Sequence, residues 1–171
     1  MQYDSICQLA ASVSPGASGV KFCPTLSGGK EETAYGCFTG LKLSTTLADM
    51  ARAVLEGISY ALVRELGEHE RCAGECREIR VFGGGAQSAV WRQILADMSG
   101  KPVSLPATHE TACLGAAILA AKGAGLIADP YHPQGMLRPP QDLCLPQPEN
   151  VARYKQCGAE YEAMYESMGI S

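Results

Sequence analysis

The sequence has no run of basic residues, no long apolar stretch and no surplus of positive charge. Fourteen Lys and Arg against eighteen Asp and Glu leave a net charge of −4. That balance gives no electrostatic footing for nucleic acid or an anionic membrane surface. The opening residues, MQYDSICQLAASVSPGASG, carry neither the basic segment nor the apolar core of a secretory signal. Nothing later approaches the length of a membrane span. These absences predict a soluble, cytoplasmic chain with no nucleic-acid or membrane partner. Internal repeats and low-complexity segments are missing as well.

Metal-ligand spacing is also lacking. The eight cysteines are scattered at positions 7, 23, 37, 72, 76, 113, 144 and 157, and without an export signal reduced thiols are the default. His69, Cys72 and Cys76 cluster, but a zinc site would need a fourth ligand and a tighter knuckle than C-x-x-x-C. They read as ordinary thiols in a loop, and no metal site is expected. Two phosphate-binding signatures are absent. There is no glycine loop followed by Lys-Ser/Thr, and no GxGxxG of a dinucleotide fold.

What is present suits one domain: 171 residues, of which 46% are hydrophobic, enough to supply a core. A short helix is expected over Ser5–Ser12, stopped by Ser14, Pro15 and Gly16. Gly19–Leu26 and Gly36–Leu43 read as strands on either side of a polar loop, Ser27–Tyr35. Thr46 and Asp49 have capping-box spacing. Leu47, Met50, Ala51, Val54, Leu55, Ile58, Leu62 and Leu66 then recur at helical steps. Asp49, Arg52, Glu56 and Glu65 fall between them as the expected solvent side, and Gly67–Arg77 as a charged connection.

The chain is arranged around Val81–Gly100, VFGGGAQSAVWRQILADMSG. Glu78–Phe82 is a short apolar-bearing run that predicts a buried strand. Gly83, Gly84 and Gly85 follow at once, and residues without a Cβ let backbone amides approach a ligand. Ser88 has the chemistry of an N-cap, Val90, Trp91, Ile94, Leu95 and Met98 share one helical face, and Gly100 fits a left-handed stop. The helix would aim its positive end at the glycine turn. Taken alone, GGGAQS is equally a plain tight turn.

Lys101–Leu105 reads as another strand. Glu110–Ala121 is a helix of small residues, in which Gly115 costs about 0.5–1 kcal/mol against alanine. Either tight packing on the sheet or a nearby ligand would explain it. Ala128–Pro148 should wrap the surface, and Val151, Tyr154, Tyr161, Met164, Tyr165 and Met168 predict a final helix docked on the domain. Alternating strands and helices over 46–121 predict an α/β domain with crossover helices on a mixed sheet. In such sheets ligands bind where a strand's carboxyl end turns into a helix.

In order, the segments GASGVKFCPTLSG, GCFTGLKLSTTLADMARAVLEGISYAL, VFGGGAQSAVWRQILADMSGKPV and ETACLGAAILAAKGAGL resemble the C-terminal domain of FGGY carbohydrate kinases. The similarity runs from about Pro15 to Leu126, with pentulose kinases such as xylulokinase the nearest in feel. It implies a ribonuclease H-like domain of the actin/Hsp70 ATPase type, a mixed sheet flanked by helices, incomplete at one edge. Residues 1–171 would be a single nucleotide-binding domain with 128–171 as its tail.

The resemblance places Gly83, Gly84, Gly85, Ala86, Gln87 and Ser88 against the adenosine and inner phosphates of ATP, with Ala112 and Gly115 as neighbours. It assigns no catalytic residue to this stretch. The family's D-x-G-T phosphate loop, its second phosphate turn, its catalytic aspartate and its N-terminal sugar-binding domain all lie ahead of the matching region. Phosphoryl transfer is positioning plus electrostatic stabilisation, so these residues alone would be inactive, with Mg²⁺ held mostly from elsewhere. The loop at 27–35 departs from the family pattern in lacking its Arg and Pro, a difference that bears on the sugar and on the domain interface.

Two other readings compete. One is a non-catalytic module that binds a nucleotide or a partner protein, its uncovered sheet edge pairing in a homodimer. The other is an actin/Hsp70-type ATPase with no sugar substrate, against which the segments around Gly36–Leu62 speak.

Overall fold

The computed structural model describes residues 3–25, 36–108, 110–133, 135 and 137–169. In chain order it runs α1 (Tyr3–Ala11), β1 (Lys21–Cys23), β2 (Cys37–Thr39), α2 (Leu47–Ala73), β3 (Ile79–Arg80), α3 (Ala89–Ser99), β4 (Val103–Leu105), α4 (Thr111–Gly123), β5 (Asp142–Cys144) and α5 (Pro148–Ser167). Strands β1 and β2 pair antiparallel, with Phe22 opposite Phe38. The 27–35 loop between them lies outside the described residues. The other sheet has the order β3-β4-β5, with β3 parallel to β4 and β5 antiparallel to it. A parallel neighbour requires a crossover, and α3 is that crossover.

Helix α3 sits between two cores. Leu95 and Ala96 pack with Val81, Ala86, Val103 and Leu105. Ile94 packs with Ala10, Ala51, Leu55 and Tyr154. Burying an Ile or Leu side chain stabilises by roughly 1.5–3 kcal/mol, so α3 fixes the sheet to the helical layer. A third core gathers Cys23, Tyr60, Tyr161, Met164 and Tyr165, with the Tyr60 and Tyr161 rings stacked 4.5 Å apart. Helix α5 thus docks through the aromatic face expected of it.

The capping box forms as its spacing predicts: Thr46 Oγ1 accepts from the Asp49 amide and Asp49 Oδ2 from the Thr46 amide. Three other expectations for this region are corrected. Helix α2 continues through Gly67 to Ala73 instead of ending near Leu66. Glu68, Glu70 and Arg71 are good helix formers, and Arg71 pairs with Glu68 one turn back.

Asp49, Arg52 and Glu56 do not face solvent; all three are buried, Arg52 and Glu56 as partners in the interior and Asp49 against Thr46 and Ser18 at its margin. Glu56 Oε1 accepts from Arg52 Nε at 2.7 Å, from Tyr154 OH at 2.8 Å and from the Gly16 amide at 3.0 Å. Ser18 donates to Asp49 at 2.7 Å. Leu47, Ile58 and Leu62 on the opposite side are exposed.

The tail holds a strand, β5, within the segment expected only to wrap the surface. Its flanking prolines, 139, 140 and 146, lie outside the strand, where a missing N–H costs no ladder bond. Helix α4 is apolar nearly all round, yet Ile118 is its single buried residue, and Leu119 is exposed.

Candidate functional site

The last ladder bond of β3 runs from the Val81 amide to the Ser104 carbonyl at 3.0 Å, after which the chain leaves the sheet. Gly83 turns it at φ +89°, a conformation that favours glycine. Gly84 is right-handed, at φ −60° and ψ −45°, and leads into a 3-10 turn over Gly85–Gln87. The Gln87 and Ser88 amides close that turn on the carbonyls of Gly84 and Gly85 at 3.2 and 3.1 Å. Ser88 then caps α3, its hydroxyl accepting from the Trp91 amide at 3.2 Å, and Gly100 ends the helix at φ +68°. The glycine turn, the cap and the stop follow from local chemistry visible in the sequence, whereas the strand expected to be buried over Glu78–Phe82 is only Ile79–Arg80, with Arg80 exposed and Phe82 67% exposed beyond it.

Beside the turn lies a cavity of about 400 Å³. Gly84, Gln87, Ser88, Ala89 and Val90 form one wall, and Asp4, Cys7, Gln8 and Ala11 of α1 form the other. A Cβ built on Gly84 meets no heavy atom within 4 Å. Neither backbone conformation nor crowding by the described residues requires glycine at 84, and a Cβ there would occupy open space. The helix α3 N-terminus supplies a positive dipole end at the same place.

The lining mixes small apolar surface with hydrogen-bonding groups: Asp4, Gln8, Gln87 and Ser88. Among the described residues no Lys or Arg lines it. Such a wall fits a flat, uncharged heterocycle and sugar hydroxyls better than a chain of phosphates.

The expected site residues separate into groups. Gly84, Gln87 and Ser88 line the cavity; Gly83 and Gly85 belong to the same turn; Ala86 is wholly buried beneath it. Gly115 stands apart. It lines another cavity, of about 940 Å³, with Arg80, Ser104, Thr111, Leu114 and Arg138. A Cβ there would meet no atom within 4 Å, so packing among the described residues does not explain this glycine. The α1 wall was not foreseen. Its residues carry no motif, and only the fold brings them to the glycine turn.

Among the described residues no group of three or more His, Cys, Asp and Glu could hold a metal ion. All eight cysteines are unpaired, and Cys76 Sγ donates to the Glu78 carbonyl at 3.0 Å. Within the described residues no helix is long and apolar enough to cross a membrane.

Residues 3–124 match the C-terminal domain of the FGGY family of carbohydrate kinases. The chain belongs to that family. It is 32% identical over 165 residues to a probable L-xylulose kinase of Pasteurella multocida, covering 96% of this chain and 33% of that one. A xylulose kinase of Staphylococcus epidermidis is 36% identical over 169 residues, covering 95% and 34%. The structure of xylulose kinase from Rhodospirillum rubrum superposes with a TM-score of 0.86 at 29% identity, over 98% of this chain and 34% of that one. The fold is that of the actin/Hsp70-like ATPases, as the resemblance implied. The chain spans about a third of the length of the curated relatives it matches.

Proposed function

We propose that this chain is the ATP-binding portion of a cytoplasmic carbohydrate kinase, which transfers the γ-phosphoryl group of ATP to a sugar hydroxyl. The cavity between α1 and Gly84–Val90 carries the reading: its size and its lining of small apolar surface and the polar groups of Asp4, Gln8, Gln87 and Ser88 suit adenosine. Adenosine lies against Gly84, Gln87 and Ser88, while Gly83 and Gly85 let the backbone approach the inner phosphates. The sugar is a pentulose of the xylulose type, the substrate in the names of the two relatives above. It is bound by an N-terminal domain beyond these residues, which also supplies the catalytic aspartate and most of the Mg²⁺ environment, so these residues alone do not turn over.

An unpaired edge supports one further partner. Among the described residues strand β3 has a neighbour on one side only, and Leu47, Ile58, Leu62, Leu119 and Leu126 are exposed. In the absence of the rest of a kinase, a second copy pairs with that edge, giving a homodimer by sedimentation.

Amide chemical-shift mapping with ADP tests the site. Shifts should concentrate at Gly84, Gln87, Ser88, Asp4 and Gln8. Shifts centred on Thr111, Gly115 and Arg80 would move the nucleotide to the other cavity and overturn the assignment.

A further inference from the structure

Arg92 lies one turn into α3 and is 4% exposed, an expensive place for a guanidinium unless it is paired. It is paired twice. Nη1 donates to the Ala86 carbonyl at 2.5 Å, and Nη2 to Asp142 Oδ2 at 2.5 Å. Ala86 is the middle residue of the 3-10 turn beside the cavity, and Asp142 opens the tail strand β5.

The Ala86 carbonyl and the Gln87 amide belong to one peptide group. That amide closes the turn on Gly84, and the next, Ser88, closes it on Gly85. A charged donor on the carbonyl polarises this peptide and strengthens the bond its N–H makes, while fixing the plane of the turn. Asp142 supplies the countercharge. It is half exposed, so its loss opens no cavity, but it leaves Arg92 without a counter-ion in the interior.

We infer that Arg92 is a positioning residue for the nucleotide turn, and that Asp142 ties the tail strand β5 to it. Tail docking and nucleotide binding are then coupled, each favouring the other. The inference rests on the nucleotide reading for its purpose, while the mechanical claim concerns this chain's own amides.

Hydrogen exchange on the full chain tests it, read at the Gln87 and Ser88 amides in wild type, Arg92→Met, Arg92→Lys and Asp142→Ala. Arg92→Met should speed exchange at both by about tenfold or more and leave β1 and α2 unchanged. Arg92→Lys, which keeps the charge but not the two-pronged geometry, should fall between. Asp142→Ala should speed the same two amides although it touches neither. A folded Arg92→Met with wild-type protection at 87 and 88 overturns the inference. If Arg92→Met does not fold, Asp142→Ala decides: unchanged exchange at 87 and 88 overturns the inference, while faster exchange there supports it. ADP titration of each variant separates the two claims. Failure of the wild type to bind removes the nucleotide reading alone. Variants with loosened turns that bind ADP as tightly as wild type sink the coupling.

Discussion

Replacing Glu56 by alanine should be among the most damaging single changes in this chain. Its side chain is 1% exposed, and one carboxylate oxygen serves Arg52, Tyr154 and the Gly16 amide. Arg52 is itself buried, and its other nitrogens donate to the Ala10 carbonyl at 3.3 Å and Tyr154 OH at 2.7 Å. The network therefore joins the end of α1, the following turn, α2 and α5. Alanine would leave a guanidinium in the interior without its countercharge, together with an orphaned amide. Breaking a buried pair this way costs about 3–5 kcal/mol, against a total of about 5–15 kcal/mol for a domain. For this size of domain that lowers Tm by about 6–20 °C. Urea unfolding followed by circular dichroism and Trp91 fluorescence measures it. The double variant Arg52→Met/Glu56→Leu should recover much of the loss, since no charge is stranded. A Glu56→Ala loss below about 1 kcal/mol, or a double variant worse than the single, would refute the reasoning.

Two glycines of α2 should respond with opposite signs. A Cβ at Gly57 runs into the Phe22 carbonyl of β1, so Gly57→Ala must push α2 off that strand, at a cost of about 1–3 kcal/mol. Gly67 has nothing within 4 Å, so Gly67→Ala should gain about 0.5–1 kcal/mol; urea midpoints of the pair decide it. Alkali should unfold the chain through its buried tyrosines. Burial raises the phenols of Tyr154 and Tyr161 well above their ordinary range and pushes Tyr165 up to about 12. The folded state holds these protons when the unfolded chain, titrating near 10, has released them. Their contribution is intact below pH about 10 and lost as pH rises above it. Phenolate absorbance should therefore rise together with the loss of circular dichroism, and ionisation of these rings in a chain that stays folded would contradict it.

How much the sequence disclosed depended on how local the cause was. The glycine turn, Ser88 cap and Gly100 stop are written in neighbouring residues, and so was the capping box of Thr46 and Asp49, while the strand before the turn was placed but neither its two-residue length nor its exposure was. The burial of Arg52 and Glu56 was hidden because their partners, Tyr154 and Gly16, are 102 and 40 positions away. Strand β5 was hidden by its prolines, which look like loop chemistry until the edge position is known. Of the cavity, the wall residues Gly84, Gln87 and Ser88 were legible, while the α1 wall depends on packing between distant segments. The gap between Gly115 and the glycine turn is likewise a matter of tertiary placement, and no periodicity in α4 encodes it.

The central claim, that adenosine sits over Gly84, is tested most directly by calorimetric titration of ATP into the wild type and Gly84→Val. Gly84 has right-handed dihedrals, and no atom of the described residues lies within 4 Å of its Cβ position. The variant should therefore keep wild-type stability to within about 0.5 kcal/mol. The account expects wild-type binding at about millimolar affinity or tighter and none in the folded variant. Equal ATP affinity in the two proteins would contradict it.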